Sequence, residues 1–190
     1  GGYRPVKLKY YQDLIDSQAF SNPNIQNILN IKYLLTKKQI NDPRFSLVHI
    51  NQFNIYENLT VKDKAWFVDK VEIINKEKSL IKVLDDNFNP DKNAYIYDQV
   101  DFFNSQKIKG KLDIKKYSEN EIILKVNTLG EGFIVLSEIF YKPGWEAFIN
   151  EERIKIFRTN HFLRGVFVPS GSYDIVFKVK KNSFLISNII

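Results

Sequence analysis

The chain has 190 residues, 44% of them hydrophobic and 26% charged, which is an ordinary globular composition that excludes collagen-like, coiled-coil and low-complexity architectures and suffices for one sizeable domain or two small ones. With no Cys and only His49 and His161, zinc ribbons, thiol nucleophiles, disulfide frameworks and multi-His centres are excluded by counting, so no cofactor and no metal are expected, and any metal would need oxygen ligands. The 28 Lys+Arg against 22 Asp+Glu give a net charge of +6 that is spread along the chain and interleaved with apolar residues, so no nucleic-acid partner is expected, although the sign suits an anionic membrane surface or a phosphate-bearing ligand.

In chain order, Leu8, Tyr11, Leu14 and Ile15 recur at helical spacing and predict a helix near residues 4–16, with Pro5 tolerated in its first turn. Ser21-Asn22-Pro23-Asn24 reads as a turn with capping residues, and Ile25, Ile28 and Leu29 predict a second helix over 24–30 before residues 31–36 turn strand-like. From Phe45 the apolar period becomes two, and short strands follow around 45–55, 66–68 and 71–73. Leu80, Ile81, Val83 and Leu84 in a lysine-rich frame predict a helix over 76–86, ended by Asp85-Asp86-Asn87 and Pro90. A brief strand is expected at 94–97, and 99–106 reads as a linker.

After Lys107 the pattern is β throughout. The runs 108–117, 121–128, 133–140, 145–149, 153–158, 165–168 and 172–180 alternate or are wholly apolar, with turn chemistry at Gly130-Glu131-Gly132, Pro143-Gly144, Asn150-Glu151-Glu152 and Pro169-Ser170-Gly171. The expected fold is therefore α+β. An α/β portion over 1–106 packs on an antiparallel β-sandwich of about seven strands, jelly-roll or immunoglobulin-like, over 107–183. The apolar residues of 184–190 read as the approach to a membrane helix. No run reaches the 18 or so apolar residues that a bilayer span needs.

The chemistry-bearing residues concentrate in 136–145 and 158–165. Glu138 lies in an apolar strand, so it either faces solvent or is held by an arginine such as Arg158 or Arg164. Trp145 follows a Pro-Gly turn and is either a sandwich-core tryptophan or, with Tyr141, a sugar-stacking platform edged by Arg158 and Asn160. His161 has no serine or acid at a spacing that implies a triad and reads as structural. Glu138 and Glu146 are the one carboxylate pair to nominate for a hydrolase, with no supporting motif. Asp85, Asp86, Asn87, Asn89 and Asp91 lack the glycine and terminal glutamate of a calcium loop.

Several of these segments carry a resemblance. Gly2-Tyr3, YYQDLID at 10–16, NILNIKY at 27–33, Ala65-Trp66-Phe67-Val68 and Val135-Leu136-Ser137-Glu138-Ile139-Phe140-Tyr141 resemble the C-terminal extracytoplasmic region of bacterial YfhO-like membrane proteins. Pro143-Gly144-Trp145, Arg158-Thr159-Asn160, Leu163-Arg164-Gly165-Val166, Val168-Pro169-Ser170-Gly171 and Ile175-Val176-Phe177 continue it. The chain departs at Asn150-Glu151-Glu152, where the family often shows Asp-Gly.

The resemblance implies a polytopic glycosyltransferase of the GT-C type that moves a polyprenyl-phosphate-linked sugar onto a cell-envelope glycan outside the membrane. It places the catalytic acid between early membrane helices. This segment would then have no catalytic residue of its own and serve as an outer accessory domain, partnered by the rest of the parent protein and by an envelope glycan or the lipid-linked sugar. The expected ligand site is a cleft near Glu138, Tyr141, Trp145, Arg158, Asn160 and Arg164. The rival reading is a structural or protein-interaction module of an envelope protein. Open Tyr141 and Trp145 faces beside unpaired arginines favour the former, whereas a buried Trp145 and a closed Glu138–arginine pair favour the latter.

Overall fold

The computed structural model describes residues 9–100, 110–141 and 143–180. Three α-helices, α1 (Lys9–Asp16), α2 (Pro23–Ile28) and α3 (Lys76–Leu84), match the expected helices, although residues before Lys9 lie outside the described part. Asn22 caps α2, accepting from the backbone N–H of Asn24 at 2.9 Å and of Ile25 at 3.3 Å, and Pro23 opens the first turn where no donor is needed. Asn75 caps α3, with acidic Glu77 in the first turn and basic Lys82 in the last, the polarity the helix dipole favours.

The strands before residue 101 are β1 (Tyr33–Thr36), β2 (Phe45–Ile50), β3 (Asn54–Asn58), β4 (Ala65–Phe67), β5 (Lys70–Ile73) and β6 (Asn93–Ile96). After residue 109 come β7 (Gly110–Tyr117), β8 (Glu121–Thr128), β9 (Gly132–Ile139), β10 (Trp145–Ile149), β11 (Glu152–Ile154), β12 (Phe157–Thr159), β13 (Leu163–Val168) and β14 (Gly171–Val179). Strand dominates helix, in an α+β arrangement with sandwich character.

The strands form three sheets: β1-β3-β2, then β11-β10-β14-β8-β7, and a six-stranded sheet in the order β4-β9-β13-β12-β6-β5. The six-stranded sheet takes three strands from each side of the linker region. Its pairs are antiparallel except β5–β6, which run parallel because α3 carries the chain back across.

The six-stranded sheet is the middle layer. Phe133, Val135, Phe157 and Leu163 pack with Leu14, Ile25, Ile28 and Val83 of the helices, all at most 6% exposed. Ile134, Leu136, Val166 and Val168 pack instead against Ile122, Leu124, Ile175 and Phe177 of the five-stranded sheet. A strand apolar on both faces reads as a continuous hydrophobic run, as 133–136 does. At the far edge of the second sheet, β7 alternates Lys111, Asp113 and Lys115 with apolar residues, charge that discourages edge-to-edge pairing.

One expected strand is corrected. The run 153–158 is divided at Lys155-Ile156 into β11, in the five-stranded sheet, and β12, in the six-stranded sheet. Ile154 and Ile156 pack on the inter-sheet core, but Phe157 packs on the helix side, so the alternation changes parity at 156–157 and the chain changes sheets there. The section after residue 109 therefore has eight strands among the described residues. The apolar residues 184–190 and most of the 99–106 linker lie outside the described part.

Gly165 of β13 marks the tightest approach in the middle layer. A Cβ there would lie 2.3 Å from Phe133 Cζ and 2.4 Å from Thr159 Oγ1, both side chains of the packed interior. Gly165→Ala is expected to cost about 1–3 kcal/mol of stability through overpacking, measured as a lower urea midpoint with an unchanged slope.

Candidate functional site

Where the chain crosses from one sheet to the other, the layers part and leave a cavity of about 580 Å³. Its walls are Trp145 and Ile154 of β10 and β11, Ile156 of the crossover, Arg158 and Arg164 of the β12–β13 hairpin, and Tyr10, Tyr97 and Tyr141 at the rim. Tyr141 is 44% exposed and Trp145 is half-buried. Gly144 places Tyr141: its N–H donates to the Tyr141 carbonyl at 3.1 Å, and the ring lies close over the glycine, where a Cβ would come within 2.5 Å of Cδ1.

Arg158 and Arg164 face each other in the β12–β13 register, so both side chains leave the same face of the sheet. The Arg158 guanidinium carbon lies 3.8 Å from the Tyr10 ring centroid and 4.2 Å from that of Tyr97. Arg164 lies 4.2 Å over Trp145, and its Nε–H donates to the Ile139 carbonyl at 3.1 Å. Burial lowers both guanidinium pKa values to about 10, so both remain cationic at neutral pH. Neither forms an ion pair with a carboxylate among the described residues, and each has a buried Nη1 without a hydrogen-bond partner. The other lining charges are matched: Lys155 with Asp98 at 2.9 Å, and Arg153 with Glu146 at 3.1 Å.

Of the six residues nominated from sequence, the cavity brings together Tyr141, Trp145, Arg158 and Arg164. Glu138 and Asn160 do not line it. Glu138 is half-exposed and accepts from the Tyr117 hydroxyl, which burial and this carboxylate push up to about 12. No closed Glu138–arginine pair forms. Glu146 lines the cavity without Glu138, so the nominated hydrolase pair does not share it.

Asn160 is fully buried and structural. Its backbone N–H donates to the Tyr95 carbonyl at 2.8 Å and its Oδ1 accepts the Tyr95 N–H at 2.9 Å, so one residue occupies both hydrogen-bonding groups of β6 at that point. Asn160 and His161 both take positive φ, 49° and 72°, to turn the hairpin; asparagine tolerates this and histidine more often than most residues.

His161 is structural, as its isolation in sequence suggested, but its partners were not legible there. Nε2 hydrogen-bonds Asp13 Oδ2 at 2.9 Å, and Nδ1 hydrogen-bonds the Ser79 hydroxyl at 2.8 Å, which accepts from the Tyr97 hydroxyl at 2.6 Å. The three residues align like a triad, yet Ser79 is fully buried, does not line the cavity and also contacts the Lys76 carbonyl at 2.7 Å. The chain of bonds instead braces the cavity wall. It fixes the hydroxyl of Tyr97, and the Tyr10 ring packs edge-on against the imidazole at 5.7 Å, so His161 steadies both rings that sandwich Arg158. Sequence reasoning missed Tyr10, Asp13, Ser79 and Tyr97, because they come from three elements far apart in the chain and share no motif.

Comparison with known protein families, curated proteins and solved structures finds no match to this chain.

Burial lowers the His161 pKa below its ordinary 6.5, with the Arg158 and Lys76 charges adding to the effect and Asp13 opposing it. The unfolded chain then binds the proton more readily than the folded one, so this stabilisation is complete above about pH 6.5 and is lost as pH falls toward the folded-state value. The urea midpoint is expected to drop between pH 7 and 5, and His161→Gln is expected to flatten that dependence while lowering stability at pH 7.

Proposed function

We propose that this chain is the extracytoplasmic accessory domain of a longer, YfhO-like bacterial membrane protein, a glycosyltransferase that uses a polyprenyl-phosphate-linked sugar, and that it binds an envelope glycan without catalysing transfer itself. The observation that carries the reading is the cavity rim, where the exposed Tyr141 ring and the half-buried Trp145 stand beside two arginines without carboxylate partners. Aromatic faces of this kind dock the apolar face of a pyranose, and polar groups at their edges take its hydroxyls. The sequence resemblance supports the membrane context and the outer location, with the rest of the parent protein as permanent partner. In fold terms the two packed sheets support a jelly-roll or immunoglobulin-like sandwich.

A second reading, a protein-interaction module of an envelope protein, is favoured by the small sheet β1-β3-β2. There Leu35 and Ile50 are 66% and 67% exposed, and Leu47, Val48 and Phe53 lie open as well. Surface of this sort marks association sites.

Titration of the chain with envelope glycan fragments, followed by NMR, separates the two. Saturable shifts centred on Trp145 and Tyr141 are expected. Trp145→Ala should weaken binding at least about tenfold, and Tyr141→Ala, at an exposed position that leaves the fold intact, should weaken it about three- to tenfold, stacking contacts being worth about 0.5–1.5 kcal/mol each. Absence of binding to every fragment would leave the interaction-module reading.

A further inference from the structure

The ligand-binding reading above leaves open what kind of ligand the cavity takes, and the arginine pair narrows it. Arg158 and Arg164 stand opposite each other on the β12–β13 ladder, and both line the cavity. Arg164 is withdrawn from water and Arg158 is half-buried. Arg164 is 4% exposed, and each guanidinium has a buried Nη1 that donates to nothing. Buried charge without an ion-pair partner is costly, and none of four acidic residues nearby closes an ion pair with either arginine, although the Glu138 charge acts favourably on Arg164. Glu146 pairs with Arg153, Asp98 with Lys155, Glu138 with the Tyr117 hydroxyl, and Asp13 with His161.

The stacking shows which direction remains open. Tyr10 and Tyr97 lie against the Arg158 guanidinium and Trp145 against that of Arg164, so the aromatic rings occupy guanidinium faces. What is left is the planar edge of N–H groups, the part of arginine that matches a carboxylate or phosphate with two parallel hydrogen bonds. The rings and the bond from Nε to Ile139 also hold the forks in place before any ligand arrives.

We infer that the ligand of this cavity carries an oxyanion, a carboxylate or a phosphate, and that Arg158 and Arg164 together hold it while Trp145 and Tyr141 take the neutral ring beside it. The inference rests on the ligand-binding reading and extends it from a glycan to an acidic or phosphorylated one. The oxyanion would supply both guanidinium groups with the counter-charge that no ion pair gives them.

The test is calorimetric titration of the whole chain with glucose, glucuronate and glucose 1-phosphate, with acetate and inorganic phosphate as ring-free probes, all at constant ionic strength. At least one of the two anionic sugars is expected to bind about tenfold or more tightly than glucose, and the gain should shrink as salt rises. The better of the carboxylate and phosphate arms identifies the headgroup. Arg158→Gln and Arg164→Gln should each abolish the gain. Should a glutamine variant fail to fold, Arg158→Lys and Arg164→Lys, which keep the charge but lose the fork, should still weaken the anionic sugar about tenfold. Independently of any variant, the side-chain Nε–H resonances of both arginines should shift saturably with inorganic phosphate and not with chloride. Equal affinity for glucose and both anionic sugars would overturn the oxyanion while leaving the aromatic site standing. Anionic sugars that bind undiminished to both arginine variants would place the oxyanion elsewhere and overturn the assignment. Absence of binding by every probe would overturn this inference and the ligand-binding reading together.

Discussion

Burial of the six-stranded sheet on both faces is the constraint from which the rest of the structure follows. Successive residues of β9 and β13 must satisfy different neighbours, the helices on one side and the five-stranded sheet on the other, so over most of their length neither strand has a solvent face. Two of its charged side chains lie where the second sheet ceases to cover it. That place is the crossover at Lys155-Ile156, and it is there that Arg158 and Arg164 lie. The cavity is thus a consequence of topology: when a chain switches sheets, the corner it turns cannot be packed as densely as the layers it joins.

Around that corner the fold has invested in rigidity. Asn160 ties the hairpin to β6 through two hydrogen bonds, and His161 links α1 and α3 through Asp13 and Ser79. The two tyrosines against Arg158 are held in turn by that histidine. Two adjacent residues at positive φ, together with unsatisfied donors on Arg158, Asn160 and Arg164, are a concentrated expense in one hairpin. Comparable departures from good packing chemistry are absent from the described central strands β9 and β8. That this arrangement is rigid, cationic and aromatic but internally unsatisfied is the basis of the ligand-binding proposal.

Much of the architecture was readable beforehand, for identifiable reasons. The helices announced themselves through the Asn22-Pro23 capping turn, the Asp85-Asp86-Asn87 stop and apolar spacing, and the C-terminal strands through alternation and glycine turns. The sheet switch left a trace as well, since Ile156 and Phe157 are adjacent apolar residues in an otherwise alternating run. What no local pattern carries is pairing between distant segments: β4 against β9, β6 against β12, and the parallel partnership of β5 with β6. The site divides along the same line. Tyr141, Trp145, Arg158 and Arg164 cluster in the sequence and were found together. Tyr10 and Tyr97 reach the cavity only because the tertiary fold brings α1 and the end of β6 there, and Asn160, although it neighbours the others in sequence, turns its side chain to the backbone of Tyr95.

The interleaving of that middle sheet has a consequence for how the protein comes to be folded. Ala65 finds its partner in Leu136, and Ile96 finds Thr159, so β4 and β6 have no complete set of neighbours until the second half has been synthesised. Contacts of such sequence separation are slow to close, because the loop entropy is lost before the pairing compensates for it. During that interval the helices and the β5–α3–β6 unit can assemble locally, while β4 waits as an unpaired apolar edge, the kind of surface that chaperones hold and that aggregates otherwise. A nascent chain released before β13 emerges would lack one of the two strands, β9 and β13, that contribute to both cores.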